Sequence, residues 1–108
     1  MRDSHEDRDP KLDLIVSRIL TVAQPNQIIL FGSRARGEAG PYSDYDVVVV
    51  DEAGGGVVRS SEIRRAIGGI GASVDVLLAT PEEMEERREG LSHVLALAQR
   101  EGIVLYAA

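Results

Sequence analysis

Leu30-Phe31-Gly32-Ser33-Arg34-Ala35-Arg36-Gly37, followed by Ser43-Asp44-Tyr45-Asp46 and the valines at 47–50, is the stretch that decides the fold. Gln27 to Phe31 reads as a short apolar strand, and Gly32 ends it by letting the backbone turn where a side chain would obstruct. A helical turn over Ser33 to Gly37 would aim N–H groups at an anion. Asp46 to Val50 has β-branched residues without polar alternation, the pattern of a strand covered on both faces. Asp44 and Asp46 are two apart. On an extended chain both carboxylates face one side and Tyr45 the other.

Outward from this block, helices and strands alternate. Asp9-Pro10 reads as a helix start, with Asp as the cap and Pro in the first turn. Leu12, Ile15, Val16, Ile19, Leu20 and Ala23 then form one apolar stripe, predicting a helix to about Val22 before Pro25-Asn26 breaks it. Glu38 to Tyr42 reads as a loop. Gly54-Gly55-Gly56 reads as a flexible loop, with Ser60 or Ser61 capping a helix through Ile70 whose core face is Ile63, Ala66, Ile67 and Ile70. Val74 to Leu78 is a third strand. Thr80-Pro81-Glu82-Glu83 opens a charged helix. A last helix is expected from about Ser92 to Gln99, ended by Gly102, with a short strand from Ile103 to Tyr106. The expected architecture is α/β (α+β), a small mixed sheet with flanking helices, with residues 1–9 a flexible tail and 10–108 a single domain.

Composition narrows the function classes. The chain has 108 residues, 44% of them apolar, which suits one domain with a buried core. No stretch approaches the roughly 20 apolar residues of a membrane helix, and Met1 to Asp7 does not read as a signal peptide. The absence of cysteine excludes disulfides and thiolate metal sites and accords with the expected cytoplasmic location. A formal charge of −6 opposes strong nucleic-acid binding, which needs a basic face. One Phe and three Tyr, with no Trp, are too few for a base-stacking platform.

Candidate site residues follow from which positions fit their surroundings badly. Asp is depleted in strands, so Asp46 is the odd member of its run, and Asp75 is the polar exception in Val74-Asp75-Val76-Leu77-Leu78. Carboxylates on one strand face, roughly 6–7 Å apart, repel by about 2–3 kcal/mol at an effective dielectric near 20. A cation relieves that repulsion; the alternative is that Asp44 and Asp46 only form a turn. Gly32 and Ser33 either end the strand or hold the β- and γ-phosphates of a nucleotide, with the Ser33 hydroxyl as an added donor. Arg34 either solvates the loop or joins them. Tyr42 and Tyr45 either touch a base or pack locally. His93 reads as a surface or half-buried histidine, and Arg64, Arg65, Arg87 and Arg88 as solvated helix faces.

Gly32-Ser33, the Asp44-Tyr45-Asp46 triplet and a third strand-borne acid at Asp75 together resemble the signature of the minimal nucleotidyltransferases of the DNA polymerase β superfamily. The resemblance runs from the helix near Lys11 to Tyr106 and implies the nucleotidyltransferase (polymerase β-like) fold. It implies that Asp44, Asp46 and Asp75 are catalytic and hold magnesium (two ions, with manganese able to substitute). It further implies that Gly32, Ser33 and Arg36 bind the triphosphate of ATP. Stand-alone domains of this kind often accompany a helical HEPN toxin, which implies a hetero-oligomer in which AMP passes to a tyrosine of that partner. Two alternatives remain at this level: a non-catalytic nucleotide-binding module that neutralises a partner by contact, and a small-molecule (aminoglycoside-type) transferase.

Overall fold

The computed structural model describes residues 9–53, 56–86, 95, 97–98 and 100–108. The elements are α1 (Pro10–Ile19), β1 (Gln27–Phe31), α2 (Ser33–Arg36), β2 (Tyr45–Val50), α3 (Gly56–Ile67), β3 (Val74–Ala79), α4 (Pro81–Glu86) and β4 (Ile103–Ala107). Four strands form one mixed sheet in the order β3-β2-β1-β4. β1 runs antiparallel to both β2 and β4, whereas β2 and β3 are parallel. The parallel pair needs a crossover, and α3 supplies it. This is the mixed α+β architecture expected from the sequence.

Both faces of the sheet are covered, which explains the unbroken valine run. On one face Tyr45, Val47 and Val49 pack with Ile28 and Leu30 against Leu12, Ile15 and Ile19 of α1 and Ile63 and Ile67 of α3. On the other, Val48, Val50, Ile29 and Ala79 pack against Met84 of α4 and against Leu95 and Ala98. Each fully buried Ile or Val adds about 1.5–3 kcal/mol from area removed from water. Strand alternation thus places Tyr45 in the first layer and Asp46 on the second face.

The helix boundaries depart from the sequence reading in instructive ways. α1 ends at Ile19, with Leu20 to Val22 forming a turn, so Leu20 and Val22 are exposed although the stripe includes Leu20. α3 starts at Gly56 and stops at Ile67, so Ser60 and Ser61 lie inside the helix rather than at its start. Gly68 stops it in the left-handed region at φ +63°, where a side chain is strained. Ile70 lies past the helix but still packs on the first core. The Thr80 cap is as expected: its hydroxyl accepts the Glu83 N–H while Glu83 accepts the Thr80 N–H, a reciprocal capping box. Residues 1–8, Gly54, Gly55, Arg87, Arg88 and His93 lie outside the described residues, as does most of 92–99, where only Leu95, Leu97 and Ala98 are described, all helical. Among the described residues no helix is long and apolar enough to cross a membrane.

Candidate active site

Strand register brings the acids together. Asp46 lies opposite Asp75 across the parallel β2–β3 pair, so both carboxylates leave the same face of the sheet side by side. A slip of one residue would have turned Asp75 away. Phe31, the last residue of β1, pairs with Asp46 on its other side, and the chain then turns at Gly32. Gly32 adopts φ +75°; a Cβ there would overlap the Asp46 carboxylate. Glycine is required twice over, by the backbone conformation and by the carboxylate leaning on it.

The turn after Gly32 is a single helical turn. The amides of Ala35 and Arg36 donate to the Gly32 carbonyl at 3.1 and 3.2 Å, so those of Ser33 and Arg34 are the ones the turn does not use. Ser33 is half-buried at the start of this turn, next to the glycine that touches Asp46. Asp44 is exposed, one residue before β2 begins, and Asp75 is exposed on an edge strand.

Electrostatics mark Asp46 as the stressed member. Partial burial raises its pKa above the ordinary value, and the charge of Asp75, a hydrogen bond with it and the charge of Asp44 raise it further; only Arg36 opposes. Two adjacent carboxylates with one cation nearby form a site that a divalent metal would relieve, and oxygen-only donors suit magnesium or manganese. Among the described residues no three of His, Cys, Asp and Glu converge into a ready cation cage. The Asp46–Asp75 pair therefore fits a metal by its donor chemistry, with Asp44 acting on it more weakly.

The two arginines of the turn separate. Arg36 is solvent-accessible, with Nε 2.6 Å from Glu38 and NH1 3.7 Å from Glu101. Its charge reaches Asp46, so the guanidinium lies near the acids. Arg34 turns inward instead: Nε and NH2 donate to the Ser43 carbonyl at 3.0 and 2.7 Å. Its guanidinium lies over the Tyr45 ring at 3.9 Å. Tyr45 is 2% exposed and donates its hydroxyl hydrogen bond to Asp9, so it packs rather than meeting a base, whereas Tyr42 is 96% exposed. Asp9 also caps α1 through the Lys11 N–H at 2.9 Å. Burial alone would raise its pKa, but the Tyr45 hydroxyl, that N–H and the charges of Arg34 and Lys11 hold it below the ordinary value.

The sequence reading missed two features. Glu101 comes to Arg36 only through the tertiary fold, so no local signal announces it. Asp51, 6% exposed, accepts from the Ala53 N–H at 2.8 Å and from Arg59 at 2.9 Å. Its place directly after four buried valines was the available signal.

A strand, a glycine turn and a second strand thus carry two register-paired acids beside the turn. The chain belongs to the nucleotidyltransferase-domain family, whose model matches residues 11–101. Its fold is similar to that in a crystal structure of a toxin–antitoxin with AMP-PNP (TM-score 0.71, 17% identity, 90% of this chain and 73% of that one). It is also similar to a candidate nucleotidyltransferase from Sulfolobus solfataricus (TM-score 0.59, 20% identity, 94% and 92% of the two chains). No curated protein matches in sequence.

Proposed function

We propose that this nucleotidyltransferase-family chain transfers AMP from ATP to a hydroxyl, and that the acceptor is a tyrosine of a helical HEPN-type toxin which the chain thereby neutralises. The observation that carries the transfer reading is the pairing of Asp46 with Asp75 directly beside the Gly32 turn. The acceptor reading draws support from the structural likeness to a toxin–antitoxin crystallised with AMP-PNP. An acidic surface, formal charge −6, suits a protein acceptor better than a polynucleotide.

In this reading Asp44, Asp46 and Asp75 hold magnesium, which when bound supplies charge neutralisation at the phosphates and a lowered pKa for the attacking hydroxyl. Gly32 and Ser33 bind the β- and γ-phosphates through backbone N–H and hydroxyl donors, and Arg36 balances their charge. Asp75 receives the proton as the acceptor oxygen bonds to the α-phosphorus. The bond from that phosphorus to the bridging oxygen breaks, and pyrophosphate leaves. For Arg36 to take part, its contacts with Glu38 and Glu101 must give way to phosphate; these are exposed pairs of small net worth.

The test is incubation with α-labelled ATP, Mg²⁺ and the protein encoded by the neighbouring reading frame. Label is expected on a tyrosine of that protein and absent with Asp44 and Asp46 replaced. Label on an aminoglycoside or RNA, with the neighbour unmodified, overturns the acceptor reading and leaves transfer intact. Nucleotide binding with no transfer to any acceptor would instead favour a module that neutralises its partner by contact.

A further inference from the structure

Arg34 follows Ser33 in the helical turn, yet its side chain is directed at the loop before β2. Nε and NH2 converge on the Ser43 carbonyl, and NH2 also reaches the Gly40 carbonyl at 3.5 Å. NH1 faces the Asp9 carboxylate at 4.0 Å. The plane of the guanidinium rests on Tyr45. Its three nitrogens are thus engaged, and its side chain is only 17% exposed. An arginine committed to two carbonyls, a carboxylate and a ring face has little left for a phosphate.

Two of its partners, Ser43 and Tyr45, flank one residue, Asp44. The Ser43 carbonyl belongs to the same peptide plane as the Asp44 N–H, so holding that oxygen sets the plane from which Asp44 departs. On the other side Tyr45 is fixed by burial, by its bond to Asp9 and by its own N–H, which donates to the Ser73 carbonyl at 2.9 Å. The approaching loop is tightened further where the Gly40 N–H meets Ser43 Oγ at 3.0 Å and the Ser43 N–H meets the Gly40 carbonyl at 3.2 Å. Asp44 is itself exposed, so its position is set by its backbone neighbours.

From this arrangement we infer that Arg34 is a positioning residue: its fork on the Ser43 carbonyl holds Asp44 where it can share a divalent cation with Asp46, and it does not bind phosphate. The inference rests on the proposed role of Asp44 and Asp46 as metal ligands. It divides the turn between one arginine that shapes the metal-holding strand end and one, Arg36, that faces solvent and the acids. Lysine cannot replace Arg34 here, because a single ammonium lacks the planar fork that grips one carbonyl with two N–H groups while stacking on a ring.

The test measures Mn²⁺ affinity without nucleotide, nucleotide affinity without metal, and amide hydrogen exchange over residues 41–45. It compares the native chain with Arg34→Lys, Ser43→Ala and Arg36→Lys at a temperature well below each melting point. Arg34→Lys is expected to weaken Mn²⁺ by roughly tenfold, the usual scale for losing a group that orients a ligand, to speed exchange at 41–45 and to leave metal-free nucleotide affinity unchanged. Ser43→Ala loosens the same loop without touching Arg34, so it should show the same split at smaller size even if Arg34→Lys folds poorly. Arg36→Lys should do the reverse, weakening nucleotide and sparing Mn²⁺. If Arg34→Lys weakens metal-free nucleotide and spares Mn²⁺, Arg34 is a phosphate ligand and the inference is wrong. Unchanged affinities with a lowered melting point would make Arg34 a structural residue only, which also overturns it. A native chain that binds no Mn²⁺ overturns the metal-site reading itself, a result distinct from either.

Discussion

β2 carries an aspartate at its second residue and another directly after its last, and the two meet opposite circumstances. Asp51 is the more deeply buried, yet each of its oxygens has a donor, one from Arg59 and one from the Ala53 N–H. Asp46 is less buried and faces another acid, with its pKa raised by burial, by Asp75 and by Asp44. What distinguishes the two carboxylates is less their burial than whether the protein pairs them with a donor or with another acid. At Asp51 it supplies donors, and the carboxylate closes the connection between β2 and α3. At Asp46 it supplies a second negative charge, with only Arg36 opposing, an arrangement that the proposed metal would relieve.

Exchanging each aspartate for asparagine tests that contrast most sharply. Asp46→Asn keeps the shape and removes a ligand charge, so transfer should fall at least about a hundredfold, the scale of losing one strong transition-state contact. Its metal-free melting point should hold or rise, because a repulsion is gone. Full transfer by a clean Asp46→Asn preparation would show that β2 does not carry the metal site. Next in size, Mg²⁺-ATP at about 100 times its dissociation constant should stabilise the native chain by about 2.7 kcal/mol in thermal melts. Asp51→Asn should keep that increment and Asp46→Asn should lose most of it. An increment surviving in Asp46→Asn and lost in Asp51→Asn would reverse the assignment of the two ends.

Asp51→Asn itself should cost about 2 kcal/mol of stability, since Arg59 is left beside a weaker acceptor while the Ala53 N–H keeps a partner. The full cost of breaking a buried pair is not expected, because the Arg59 side chain is 28% exposed. Transfer per folded molecule should be unchanged. Urea melts give the first number and assays scaled to folded fraction the second; a stable variant with lost activity would mean that Asp51 belongs to the site.

How much of this was legible in the sequence depends on the range of the interaction. The valine run, the Asp9-Pro10 cap and the Thr80-Glu83 box are local, so strands and caps could be read directly. So could the oddness of Asp46 and Asp75 within apolar strands. Their pairing could not, because it depends on where β3 docks on β2. The difference between Arg34 and Arg36 was hidden for the same reason: it lies in a carbonyl nine residues away for one and in Glu101 for the other. The start of α3 failed differently. Gly56, the last of three glycines that argue for a loop, opens the helix; the burial of Ile63 and Ile67 favours a helix long enough to seat them, and packing overrides propensity there.

A third aspartate, Asp9, stands between the two extremes and gives the smallest effect. Its partner is the Tyr45 hydroxyl, whose pKa is pushed up to about 12 by burial, by the hydrogen bond to Asp9 and by that carboxylate's charge. Unfolded, the phenol ionises near its ordinary value of 10.0; folded, it keeps its proton longer. The folded state then holds more protons than the unfolded state between these values, so stability falls as pH rises. The contribution is complete below the unfolded value, amounts to a loss of about 1 kcal/mol by roughly pH 11, and is spent as pH passes the folded value. For Asp9 the sign is opposite: its lowered pKa gives stability above the ordinary carboxylate value that is lost as pH falls through the folded one. Tyr45→Phe keeps the ring under Arg34 and removes the hydroxyl, so its stability curve should be flatter than the native one on the alkaline side and its acid limb shifted toward neutrality. If the two proteins instead lose stability in parallel above pH 10, the folded state does not hold the Tyr45 proton longer, and the Tyr45–Asp9 bond is not what ties the start of α1 to β2.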